Sequence, residues 1–155
     1  FLCSRAVLPG MVARRRGRIV TTASGAGLGP LPYGAAYGIS KSAAISFSEN
    51  LAAETAGHGI CAFSIDPGFV RTAMTETIAE SPEWDKWGYG SIRKGLAAGH
   101  DVPPQRAAKL VVLLAAGQAD ALSGRYIGVG DDMAEMVRHA EEIQQDELYP
   151  LRLRN

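Results

Sequence analysis

The sequence has few of the residues that build disulfide frameworks and metal sites. Among its 155 residues are two cysteines, Cys3 and Cys61, and three scattered histidines. No H-E-x-x-H motif and no closely spaced cysteine pair is present, so the sequence predicts no metal site. Cys61 lies in an apolar run and is predicted to be a buried free thiol, which is typical of a protein in a reducing cytoplasm.

An excess of charge of one sign and long hydrophobic runs are also missing. Sixteen basic and sixteen acidic residues give no net charge, which excludes a general attraction to nucleic acid or to an anionic membrane. The most apolar stretch, "KLVVLLAAG" at 109–117, is far shorter than the roughly 18 residues that a membrane helix needs. We therefore expect a cytoplasmic protein with no nucleic-acid partner and no membrane partner.

What the sequence does contain is an alternation of strand and helix patterns. Short β-branched or apolar runs predict strands, and longer amphipathic runs predict the helices around them. The predicted strands are "RIVTTAS" (18–24), "ICAFSI" (60–65) and "RYIGVG" (125–130), and the predicted helices are 4–16, 35–57, 103–117 and a tail helix over 133–143. This order predicts an α/β fold with a partial doubly wound parallel sheet.

The segment "YGAAYGISK" at 33–41 places a phenol and an ammonium one helical turn apart. Tyr37 and Lys41 are at positions i and i+4, so both lie on one helix face. An ammonium beside a phenol favours the phenolate, and such a tyrosine can act as a general acid or base. A simple surface pair is the alternative. Tyr33 has Tyr37, not lysine, four residues after it, and is expected either to pack or to line a pocket.

Two more segments converge on the same predicted crevice. Ser24 ends the first predicted strand, thirteen residues before Tyr37, and "DPGFVRT" at 66–72 leaves the end of the next strand. Loops at the carboxyl ends of parallel strands line the ligand crevice of such sheets. Ser24, Tyr37 and the 66–72 loop are therefore expected to meet at one edge of the sheet.

Four features of the sequence occur in a familiar order: Ser24, then "YGISK", then a strand that ends in "PGFVRT", and "LSGRYIGVGDD" near the end. Together they resemble the catalytic portion of the short-chain dehydrogenase/reductase family. The resemblance implies a Rossmann-like fold, NAD or NADP as cofactor, a small-molecule alcohol or carbonyl substrate, and a homodimer or homotetramer. It implies that Tyr37 is the catalytic acid/base, that Lys41 assists it and binds the nicotinamide ribose, and that Ser24 holds the substrate oxygen. Pro67, Gly68, Val70 and Thr72 would cradle the nicotinamide carboxamide.

The glycine-rich turn of that family is absent. No G-x-G-x-x-G or T-G-x-x-x-G-x-G occurs, and "GAGLG" at 25–29 leads into prolines instead of a helix. We therefore expect residues 1–155 to be a single incomplete domain, the C-terminal part of an NAD(P)-binding domain. The alternative is an inactive truncated product that acts at most as an oligomerisation module.

The stretch from 72 to 100 has no long clean periodicity. It contains Trp84, Trp87 and Tyr89, which are expected either to form a substrate lid or to be ordinary packing of short helices.

Overall fold

A computed structural model describes residues 1–87, 90–148 and 151 of the chain. Three strands alternate with helices in the order that the sequence pattern predicts. The strands are β1 (Gly17–Thr22), β2 (Ile60–Asp66) and β3 (Tyr126–Gly128). The α-helices are α1 (Leu2–Ala13), α2 (Ala35–Thr55), α3 (Ala73–Glu80), α4 (Pro82–Lys86), α5 (Gly90–Ala97), α6 (Gln105–Ala115), α7 (Met133–Arg138) and α8 (Ala140–Gln145).

The described strands form one parallel sheet in the order β1-β2-β3. Gly17 is opposite Ile60 and Thr22 is opposite Ile65, while Ser64 is opposite Tyr126. The central strand β2 is nearly continuous in apolar residues because both of its faces are covered, as is usual in parallel sheets. The predicted α/β class with a parallel sheet is confirmed.

The side chains of β2 pack into two hydrophobic layers, one on each face of the sheet. Phe63 and Ile65 point to one face, where they join a buried cluster from the second half of the chain: Leu110, Leu114, Leu122, Ile127, Met136 and Ile143. Ala62 points to the other face and packs with Leu51 and Ala52 of α2. The alternation of side chains along a strand therefore places α2 on one side of the sheet and α6 to α8 on the other.

Several predicted boundaries are wrong by a few residues, and one predicted helix is divided. Helix α1 ends at Ala13 because the chain turns at Arg14 and Arg15, and Arg15 has a positive φ of 49°. The predicted tail helix is two helices that meet at His139, each burying its own apolar residues against the sheet. Residues 73–97, without a long period, form the short helices α3, α4 and α5.

Both cysteines are free thiols in the structure. Cys61 is half-buried, not fully buried as predicted, and burial raises the pKa of its thiol. Within residues 1–87, 90–148 and 151, no helix combines the length and the apolar character needed to cross a bilayer.

In the part of the chain that the structure describes, β1 has one partner strand, β2, so its other edge is open. The backbone N–H of Ala23 donates to the carbonyl of Ile65 at 2.7 Å, and alternate residues of a strand point to opposite sides. Val20 and Thr22 therefore direct their backbone groups away from β2. An apolar groove beside this edge is lined by side chains of α1 and α2, including Val7, Met11 and Phe47.

We predict that the 155-residue chain expressed alone self-associates through the open edge of β1, because unpaired strand edges template further pairing. Val20→Pro, which removes an outward N–H, should lower the associated fraction measured by light scattering. Thr21→Pro is the matched control: its N–H points to β2, so this variant should lose cooperative thermal unfolding instead. A wild-type chain that runs as a monomer at high concentration would contradict the prediction.

Candidate functional site

The carboxyl ends of β1 and β2 bring the predicted site segments to one edge of the sheet. Thr22 and Ile65 are paired at the end of the ladder, and the Ala23 bond to Ile65 extends the pairing by one residue. Ser24 and Asp66 then leave the two strands next to each other. The expected convergence of these loops is a consequence of this register.

Ser24 begins a short 3-10 helix, Gly25–Gly27, in extended backbone conformation. Its Oγ accepts a hydrogen bond from the Ala26 N–H at 3.2 Å. This bond holds the half-buried side chain in place through an acceptor lone pair. The Ser24 hydroxyl proton is left to donate to a ligand oxygen at the edge of the sheet.

The loop after Ser24 packs closely against the backbone of α2. Ser42 Oγ donates to the carbonyl of Gly27 at 2.6 Å. A Cβ atom at Gly27 would lie 2.7 Å from the carbonyl carbon of Lys41 and 2.7 Å from the backbone nitrogen of Ser42. Only glycine permits this approach, which sets the distance between the Ser24 loop and the helix that carries Tyr37 and Lys41.

Tyr37 and Lys41 lie one turn apart on α2, as the spacing predicts. Tyr37 is 42% exposed, and its backbone carbonyl accepts a hydrogen bond from Ser40. The Lys41 ammonium donates to the carbonyl of Thr22 at 3.1 Å and lies 5.5 Å from the centre of the Tyr37 ring. The lysine is therefore tied to the end of β1, two residues before Ser24, and is more than a freely moving surface cation.

Asp66 was not singled out from the sequence, yet its carboxylate is the acceptor that joins the two loops. One oxygen, Oδ2, accepts from the Gly25 N–H at 3.0 Å and from the Tyr126 hydroxyl at 2.8 Å. The other, Oδ1, accepts from the Gly68 N–H at 2.9 Å. An ionisable residue at the end of an otherwise apolar strand was the signal in the sequence that could have identified it.

Tyr126 is a second tyrosine near the crevice and is far less exposed than Tyr37, at 9% against 42%. Burial raises its pKa well above the ordinary value of a tyrosine, and the hydrogen bond to Asp66 raises it further. Its hydroxyl is therefore held as a proton donor to Asp66 throughout the physiological pH range. Tyr37, in contrast, is exposed and has the Lys41 ammonium 5.5 Å from its ring centre.

The residues of the 67–72 loop that were singled out as site residues from the sequence lie in two groups. Pro67 and Gly68 adjoin Asp66, and Gly68 has a φ of 76°, which glycine adopts without strain. Thr72 begins α3, where it forms a reciprocal capping box with Thr75, and the carbonyl of Val70 accepts from the Thr75 hydroxyl. The Thr72 hydroxyl oxygen accepts the Thr75 N–H at 3.4 Å, and this bond helps to start α3.

Tyr33 contacts the segment that contains the short helices. Its ring lies 5.0 Å from the ring of Trp87, centre to centre, and both side chains are substantially exposed. This contact joins the loop before α2 to the end of α4. The predicted role of Tyr89 in a lid lies outside the described residues.

Several known proteins are similar to this chain, some in sequence and some in solved structure. A family model described as short chain dehydrogenase matches residues 1–83. The chain is 35% identical to the oxidoreductase UcpA of Escherichia coli K12, over 86% of the chain and 53% of UcpA. It is 32% identical to the 3-oxoacyl-[acyl-carrier-protein] reductase FabG of the same strain, over 86% of the chain and 52% of FabG.

Among solved structures, actinorhodin polyketide ketoreductase with NADPH is 30% identical and superposes with a TM-score of 0.66, over 77% of this chain and 48% of that one. The chain thus spans about half the length of the relatives that it matches. The chain belongs to the short chain dehydrogenase family, as its motifs predict.

We predict that Gly27→Ala disturbs the site while Gly29→Ala does not. The added methyl at Gly27 would meet the backbone of α2, which overpacks the contact at a cost of roughly 1–3 kcal/mol. No atom lies within 4 Å of a Cβ built at Gly29, so that variant is the matched control. Thermal unfolding and cofactor titration of both variants of the whole protein check this. Equal stability of the two variants would contradict it.

Proposed function

We propose that the whole protein is an NAD(P)-dependent oxidoreductase that interconverts an alcohol and a carbonyl with Ser24, Tyr37 and Lys41. The observation that carries the proposal is the position of Lys41, held by the Thr22 carbonyl beside the exposed Tyr37 ring. On this proposal, residues 1–155 are the C-terminal part of an NAD(P)-binding domain. Family membership supports the reaction class.

In the direction of reduction, the Tyr37 hydroxyl gives its proton to the substrate oxygen. The nearby Lys41 ammonium stabilises the phenolate that remains, and solvent reprotonates it because the side chain is exposed. In the direction of oxidation the same phenolate removes the proton from the alcohol. Both directions need the tyrosine and the lysine to stay one turn apart on a rigid helix, which α2 provides.

Ser24 donates a hydrogen bond to the same substrate oxygen as negative charge develops there. Its Oγ is already oriented by the Ala26 N–H, so little reorganisation is needed during the reaction. Preorganised donors of this kind contribute on the order of 3 kcal/mol to lowering a barrier.

The residues present fit a nicotinamide cofactor. An ammonium has three N–H donors, and Lys41 uses one on Thr22, so two can donate to the hydroxyls of the nicotinamide ribose. Pro67, Gly68, Val70 and Thr72 would hold the carboxamide. When bound, the cofactor supplies or accepts the hydride. The ketoreductase among the similar structures was solved with NADPH, which supports this assignment.

We further propose that the whole protein is a homodimer or homotetramer that acts on a small molecule. One face of α2 is exposed and rich in small residues, including Ala43 and Ala53, with Ile39 exposed by 69% on the same helix. A face of this kind permits close approach of a second copy.

Tyr37→Phe should lower turnover of the whole protein by at least about 10²-fold, because only the proton-transfer group is lost. Cofactor affinity should stay near that of the wild type. Tyr33→Phe, four residues earlier, keeps its ring against Trp87 and serves as the control. NADPH consumption with a panel of small ketones and aldehydes measures turnover, and a Tyr37→Phe variant with more than about a tenth of wild-type activity would refute the assignment.

Lys41→Met should weaken NADPH binding and move the pH optimum of oxidation upward, because the phenolate loses its neighbouring cation. Lys109→Met, on the exposed surface of α6, removes the same charge away from the site and should change neither quantity. An unchanged pH profile together with normal affinity in Lys41→Met would favour a mere surface pair.

A further inference from the structure

We propose that Asp66 is a positioning residue that fixes the Ser24 loop relative to the 67–72 loop, with Tyr126 as its third anchor. This inference rests on the proposed function, because it assigns Asp66 a role in placing Ser24. It does not make Asp66 a catalytic residue, since its carboxylate contacts backbone and a tyrosine and acts only through them.

The geometry is a single carboxylate shared by three segments of the chain. The Gly25 N–H, directly after Ser24, and the Gly68 N–H, in the second loop, donate to different oxygens of Asp66. The Tyr126 hydroxyl donates from β3 to the oxygen that also accepts from Gly25. The backbone carbonyl of Asp66 further accepts from the Val129 N–H at 3.1 Å. The residue is thus anchored while its side chain holds both loops.

An ionised carboxylate suits this position because all three neighbouring groups are donors. A carboxylate accepts at both oxygens, whereas an amide has one accepting oxygen and one donating nitrogen. In Asp66→Asn, the NH₂ group must therefore face either the Gly68 N–H or the Gly25 N–H. One of the two loops then loses its anchor and meets a donor instead of an acceptor.

The close approach of the Ser24 loop depends on the same contact. A Cβ atom at Gly25 would lie 3.4 Å from Oδ2 of Asp66 and 3.7 Å from the Tyr126 hydroxyl. The loop therefore lies directly against the pair formed by Asp66 and Tyr126. Since a displacement of about 1 Å at a reacting group can cost about 10²-fold in rate, loosening this contact should be visible in turnover.

The experiment compares Asp66→Asn, Tyr126→Phe and a matched control, Asp120→Asn, in the whole protein. Asp120 accepts two hydrogen bonds from Arg18, at 2.7 and 2.6 Å. Arg18 lies where β1 begins, at the opposite end of the strand from Ser24. Replacing Asp120 is the same chemical change at a distance from the site. The first readout needs no substrate: amide hydrogen exchange at Gly25 or at Gly68, whichever loop loses its acceptor, should become faster in Asp66→Asn, and exchange at both should stay unchanged in Asp120→Asn.

The second readout is a double-mutant cycle with Ser24→Ala, using NADPH and the ketone and aldehyde panel. Alone, Asp66→Asn should lower kcat by about 10²-fold, and Tyr126→Phe, which loses one of the three bonds, by about tenfold. In the Ser24→Ala background, Asp66→Asn should lower kcat by less than about threefold, because the group that it positions is gone. Asp120→Asn should be additive with Ser24→Ala.

The outcomes separate this inference from the proposed function. Unchanged exchange at both glycines in Asp66→Asn, or full additivity of Asp66→Asn with Ser24→Ala, would overturn the inference while leaving Ser24 in its role. If Ser24→Ala itself retained wild-type turnover, the proposed function would fail, and the exchange measurement alone would still decide whether Asp66 holds the two loops.

Discussion

The parallel pairing of β1 with β2 is the constraint on which the whole site depends. Because both strands end at the same edge, the loop after Ala23 and the loop after Ile65 leave the sheet side by side. The Lys41 ammonium reaches the end of β1 from α2, so the helix is aligned with the sheet through a polar contact as well as through packing. A shift of one residue in the register would separate Ser24 from Asp66 and reverse the faces of every β2 side chain.

Two close contacts convert this register into a fixed arrangement of side chains. Gly27 allows the Ser24 loop to lie on the backbone of α2, and the Asp66 carboxylate ties the same loop to the Gly68 turn. The first contact sets the loop against Tyr37 and Lys41, and the second sets it against the neighbouring loop. Neither contact involves a side chain that the proposed reaction uses, so the arrangement of the proposed site depends on contacts that hold its loops at fixed distances.

Site residues that lie close together along the chain could be predicted from the sequence, whereas contacts between distant residues could not. Ser24, Tyr37 and Lys41 lie within eighteen residues of one another, and a strand end followed by a helix fixes their relation locally. Asp66 and Tyr126 are separated by sixty positions, and the β2–β3 pairing brings them together, so no short spacing in the sequence reveals their contact. The break at His139 was missed because its flanking apolar residues keep helical spacing across it.

The open edge of β1 and the anchoring of Lys41 meet at one atom, the carbonyl oxygen of Thr22. Alternation along β1 directs this carbonyl away from β2, toward the side on which a further strand would pair. Lys41 already donates to it. A strand that pairs with the open edge as far as Thr22 would share this oxygen with the lysine, since a carbonyl oxygen can accept two hydrogen bonds. Pairing at Val20 leaves this oxygen to Lys41 alone, whereas pairing that continues to Thr22 would add a second donor to the oxygen that holds the ammonium 5.5 Å from the centre of the Tyr37 ring. The pairing of this edge and the position of Lys41 thus involve the same backbone acceptor.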